Sequence, residues 1–173
     1  MRNKIRQAVI GLCSVIMGAV PSARTQDPDD TILLGGIQLE LGMSQGDALR
    51  KLGVVYTLTH LDFSPGHWAV TRRDGSYLVG QVIFSAEKLT GVNKHWGPDD
   101  DQTAGAFARA LREAVESVTR GGVHNCTIST GAESAVEGWR TTIECGRHRL
   151  FVLAPGPRSN VAPDISEGLS ARH

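Results

Sequence analysis

Apolar and polar residues alternate through "IQLEL" at 37–41, the period of a half-buried strand. The next stretch, "SQGDALRKLG", changes to helical spacing and gathers Ala48, Leu49 and Leu52 on one side. Ser44 suits the N-cap of this short helix, Asp47 three residues on completes a capping box, and Gly53 suits the C′ position. Arg50 and Lys51 fall in the last turn, where the helix dipole favours cations. Four β-prone runs follow: "VVYTLTHLDF", "HWAVTRR", "SYLVGQVIF" and "LTGVNKHW". Asp74-Gly75 signals a two-residue hairpin turn opposing Val70 to Val79. A bulge at Gly80 then returns Val82 and Phe84 to the buried face.

Ala104, Phe107, Leu111, Ala114, Val115 and Val118 recur at helical spacing, so a long amphipathic helix is expected from Asp101 to Arg120. Asp99, Asp100 and Asp101 crowd its start, and Gly121-Gly122 end it. Beyond it, a type II′ turn at Gly146-Arg147 sets Ile143 against Leu150, Thr141 against Val152 and Trp139 against Ala154. Pairing the run 124–130 with 139–145 so that Ile128 faces Ile143 also sets Cys126 against Cys145. One register satisfies both the isoleucines and the sulfurs, so a cross-strand Cys126–Cys145 disulfide is expected. The fold class is therefore α+β: a short helix with an antiparallel meander, a long amphipathic helix, and a disulfide-linked three-stranded meander. Each half is a helix followed by strands, the arrangement of a diverged duplication.

The ends of the chain narrow the compartment. Arg2, Lys4 and Arg6 precede an apolar run from Ala8 to Val20, the layout of a signal peptide over residues 1–23. Cys13 follows Leu12, where a lipobox needs a small residue, so lipidation is not expected. Residues 24–30 read as a flexible lead-in, 31–154 as one domain, and 155–173 as a disordered tail. Without the signal, 15 basic residues face 18 acidic ones, a patternless balance that argues against nucleic acid as a partner. The two remaining cysteines suit an oxidising compartment, periplasmic or extracellular. After removal of the signal, no transmembrane segment is expected.

Catalytic and metal chemistry find little support. "GMSQG" at 42–46 fits the G-x-S-x-G nucleophile elbow, but that motif belongs to parallel α/β sheets, and capping by Ser44 and Asp47 explains it without further residues. His60, Asp62 and His67 share one loop at no standard zinc spacing. The "PDDD" run at 98–101 lacks the alternating ligands of a calcium loop. Asp62, Glu87, Glu137 and Glu144 have no selected pairing, and "NCT" at 125–127 is a common three-residue match. No catalytic residue, metal ligand or cofactor is expected. Trp68, Trp96 and Trp139 lie in strands, and Tyr56, Trp68, His95 and Trp96 are the candidates for a protein-binding face.

"GIQLELGMSQGDALRKLG", with Trp68-Ala69-Val70, Val82-Ile83-Phe84, Leu89 and Val92, resembles the SmpA/OmlA outer-membrane lipoprotein domain and the β-lactamase-inhibitor-like repeats. The resemblance covers residues 34–96. It implies an exported module that acts by binding proteins. The expected function is therefore a non-enzymatic binding or scaffold module with an unidentified protein partner. The alternatives are an inhibitor of a secreted enzyme or a small secreted hydrolase using Ser44.

Overall fold

The computed structural model describes residues 30–97, 103–120, 126–134 and 137–171. Thr31–Leu34 (β1) turns at Gly35-Gly36 into Ile37–Glu40 (β2), forming a two-stranded antiparallel hairpin. Helix α1, Gln45–Gly53, follows, and then a meander of Thr57–His60 (β3), His67–Thr71 (β4), Leu78–Ser85 (β5) and Lys88–His95 (β6). A second helix and meander repeat the order: Ala104–Val118 (α2), Thr127–Glu133 (β7), Gly138–Cys145 (β8), His148–Ala154 (β9) and Asp164–Ser170 (β10). The two meanders join through their last strands into one antiparallel sheet, ordered β3-β4-β5-β6-β10-β9-β8-β7. Both halves run one helix and then four strands, with β6 and β10 side by side at the centre of the sheet.

This corrects the α+β plan of two meanders kept apart by a long amphipathic helix. Among the described residues, 48% are strand and 20% helix, so the chain is mostly β. Helix α2 has 15 residues and is capped by Thr103, whose side chain accepts from the Ala106 amide. The acidic run 99–101 lies outside the described residues. The stretch 155–173, read as disordered, contains β10. Its inward positions are Ile165, Glu167 and Leu169, all buried, and the acid in the middle breaks the apolar alternation that would have marked a strand.

Local chemistry explains α1. The Ser44 hydroxyl accepts from the Asp47 amide at 3.1 Å and donates to the Asp47 carboxylate at 2.7 Å. The shorter Asp takes the hydroxyl hydrogen, where the longer Glu or Gln of a full capping box would reach the N-cap amide. Gly53 is the last helical residue rather than a left-handed C′ cap, since Val54 holds the cap in right-handed geometry. Arg73 donates to the Val54 carbonyl at 2.6 Å beyond it. Ala48 and Leu52 are fully buried, and each buried leucine contributes about 1.5–3 kcal/mol.

Register sets which face each strand presents. The Asp74-Gly75 turn is wider than two residues: the Arg72 amide bonds the Tyr77 carbonyl. The register shifts between Val70 and Thr71, so Gly80 rather than Val79 lies opposite Val70. A Cβ on Gly80 would come within 2.1 Å of the Asn93 carbonyl oxygen, and this close backbone approach is why glycine stands there. In the second half, Ile143 faces Leu150, Thr141 faces Val152, Trp139 faces Ala154, and Ile128 faces Ile143. Gly146 turns β8 into β9 with φ of 61°. Cys126 and Cys145 form a disulfide with Cα atoms 4.3 Å apart.

Candidate functional site

Directly opposed residues of neighbouring strands point to the same side of a sheet. One row runs Trp68–Val82–Val92–Leu169–His148–Cys145, and the next runs Val70–Gly80–Lys94–Glu167–Leu150–Ile143. Val82, Val92 and Leu169 pack with Ala48 and Leu52 of α1 and with Leu34 and Leu39 of the hairpin. Leu150 and Cys145 pack with Ala114 and Val118 of α2. The hairpin and both helices therefore lie on one face. Among the described residues, nothing covers the other.

That uncovered face carries the intervening rows. Ala69, Gln81, Asn93, Gly168, Arg149 and Glu144 make one; His95, Ser166, Phe151 and Thr142 make the next. Ile83, Phe151 and Leu153 are half-buried apolar groups on it. Arg140, Phe151, Leu153, Asp164 and Ser166 line a depression of about 240 Å³. Its charges are held in place by neighbours. Arg149 meets Glu144 at 2.6 Å and lies over the Phe151 ring. Arg140 meets Glu133 at 2.6 Å. His95 lies 3.7 Å from Asp164, whose carboxyl is held below the usual range chiefly by that imidazole. Such a surface can bind by shape and charge. On it Ser166 stands directly opposite His95 in the register, and His95 pairs with Asp164.

Beside α2 the covered face holds a polar cluster. Glu167 is fully buried and accepts from the Trp96 indole N–H at 3.0 Å, the Ser117 hydroxyl at 3.2 Å and His148 Nδ1 at 3.1 Å. These bonds tie β6, α2, β9 and β10 at the seam of the two halves. Lys94 stands opposite Glu167 in the register, with Nζ 3.3 Å from the centroid of the Trp96 ring. Burial pushes its ammonium down to about 8. A cavity of about 410 Å³ opens beside it, lined among others by Tyr56, Arg72, Tyr77, Trp96 and Arg109. Its cations are already engaged: Lys94 by Trp96, Arg72 by Tyr77, and Arg109 by contacts of its own.

The four residues expected to share a binding face are divided. His95 lies on the uncovered face, while Trp68 and Trp96 point to the covered one and pack against the two cores. Tyr56 donates its hydroxyl to the Gly35 carbonyl at 2.6 Å and packs on the first core. Tyr56, His95 and Trp96 border the seam cavity; Trp68 does not. Strand parity separates the adjacent His95 and Trp96, as the alternation of Val92 and Trp96 with Asn93 and His95 implies; which of the two sides the helices cover is not written in that alternation. Ser44 lines a depression with Gln45, Gly46, Leu49 and Glu87, none of them an imidazole. His60 pairs with Asp62 at 3.2 Å and sets its ring edge-on to Trp68. Among the described residues, no three His, Cys, Asp or Glu side chains are grouped to hold a metal ion. No described helix is long and apolar enough to cross a membrane.

Sequence reading missed Phe151, Leu153, Arg149 and Asp164 as face residues. The signal was present in "HRLFVLA", where His148, Leu150 and Val152 point to the helices and Arg149, Phe151 and Leu153 point away. With every position from 150 to 154 apolar, no polar alternation marks which of its two sides faces away from the helices.

No protein-family model, curated protein or solved structure matches this chain.

Proposed function

We propose that the chain is an exported, non-enzymatic binding module that holds a protein partner against the uncovered face of its sheet. One observation carries the reading: the hairpin, α1 and α2 all pack on the same face of the eight-stranded sheet, and among the described residues no element packs on the other. Eight strands at ~4.8 Å spacing and ~20 Å length offer about 700 Å², close to the ~800 Å² that each partner gives to a standard interface. The composition also suits an interface, with apolar Phe151 and Leu153 on β9 bordered by the oriented Arg140, Arg149, His95 and Asp164, and with Ile83 apart from them on β5. Export is supported by the signal-like N-terminus and by the Cys126–Cys145 bridge. The resemblance to SmpA/OmlA domains points to the same class of activity.

The test is capture of partners from the native envelope or secretion on immobilised chain. Phe151→Asp and Thr142→Arg alter the face, and Gln81→Arg alters it from the other half. Arg112→Glu alters the outer surface of α2. Partner recovery should fall at least tenfold with the face variants and hold with Arg112→Glu, all four retaining the wild-type circular dichroism spectrum. Equal recovery from face variants and wild type would refute the reading.

A further inference from the structure

The sheet has two edges, and they differ. β3 is a four-residue strand. β7 has seven residues, "TISTGAE", with no proline and with every side chain from Thr127 to Ala132 exposed. Its one charge, Glu133, is already matched by Arg140. Beside it, Ile128 is 70% and Trp139 60% exposed. Long, flat, uncharged edges are templates for strand pairing, and proteins that do not use them blunt them. β7 is not blunted.

The disulfide shows which backbone groups are free. Its 4.3 Å Cα separation marks Cys126 and Cys145 as a non-hydrogen-bonded pair. Alternation along the register then makes Thr127, Ser129, Gly131 and Glu133 the residues bonded to β8. Ile128, Thr130 and Ala132 turn their amides and carbonyls outward. Their side chains lie on the covered face, beyond the reach of α2.

We infer that β7 pairs antiparallel with β7 of a second copy of this chain about a two-fold axis at Thr130, extending the sheet across both copies. The choice of a second copy rests on self-complementarity. In this register Thr130 meets Thr130, and Ile128 meets Ala132 of the other copy. Ala132 stands opposite Trp139 on β8, so the small alanine lies between Trp139 and the incoming Ile128. The two most exposed large side chains of this region close over it, and symmetry repeats the contact. Glu133 falls opposite Thr127, so no like charges meet. A foreign strand would need to supply each of these features; the chain supplies them to itself. The uncovered face of the sheet stays open in such a pair, so this inference stands or falls apart from the proposed function.

Three variants test it on the purified chain with its disulfide intact. Thr130→Pro removes an outward amide and Ile128→Lys places a charge at the join. Neither removes a backbone bond to β8, although Thr130→Pro gives up the 3.2 Å contact between the Thr130 and Thr141 hydroxyls. Thr130→Cys sets two thiols across the axis at ~5.5 Å between Cα atoms, within disulfide reach. Ser129→Cys, out of register with itself, is the control. Light scattering of the wild type at tens of micromolar should give the mass of two chains, and Ile128→Lys and Thr130→Pro should give one. Under mild oxidation, Thr130→Cys should cross-link at least tenfold faster than Ser129→Cys. A wild type that stays monomeric to several hundred micromolar would overturn the inference. So would a dimer untouched by both Ile128→Lys and Thr130→Pro, or equal cross-linking at 129 and 130.

Discussion

Ser44 shows how one hydroxyl can match a catalytic motif and be consumed by a structural one. Its oxygen accepts from the Asp47 amide, and its hydrogen goes to the Asp47 carboxylate. That bond is the first cause of the depressed Asp47 carboxyl, followed by the Arg50 guanidinium. Ser44→Ala should cost about 1 kcal/mol through the lost cap, read as a shift in the urea midpoint at unchanged slope. Ser44→Asp, which keeps a capping oxygen, should recover part of that loss. A Ser44→Ala variant as stable as wild type would remove the cap from the account.

At the scale of elements, legibility followed chemistry. The β8–β9 and β7–β8 registers could be read because period-2 apolar positions, a Gly-first turn and two sulfurs agreed on one alignment. The β5–β6 turn could not be read: Ala86 and Glu87 occupy it with φ of 48° and 59°, where sequence rules look for Asn or Gly. The β10 strand was hidden by Glu167, a polar group whose burial is compensated by hydrogen bonds to Trp96, Ser117 and His148. The uncovered face followed from none of these, because it depends on which side the helices take. Since β10 joins the halves, ending the chain at Pro163 should expose β6 and β9 along facing edges. The truncated chain should aggregate or lose cooperative unfolding. A merely disordered tail would be removed without effect. Replacing both Cys126 and Cys145 by Ser should cost about 3 kcal/mol while keeping the sheet, a milder lesion than loss of β10.

For the whole molecule, the polar seam makes stability depend on pH in a defined direction. Lys94 titrates at about 8 in the folded chain because burial disfavours its ammonium, against an ordinary value near ~10.4 in the unfolded chain. Between these values the unfolded chain holds more protons at this site, so stability contributed by Lys94 rises with pH across that window. Below pH 8 the full penalty is present. The gap in unfolding free energy between wild type and Lys94→Met should therefore move in favour of wild type from pH 8 to 10. Parallel pH profiles for the two proteins would contradict the burial assigned to this lysine.

The central claim is that the face opposite both helices is the one that meets a partner. A photo-reactive phenylalanine analogue tests it directly, placed at Thr142 on the open face or at Arg112 on the outer surface of α2, in cells that produce the chain. Higher-mass adducts are expected from position 142 and none from position 112. Adducts from 112 with none from 142 would contradict the claim.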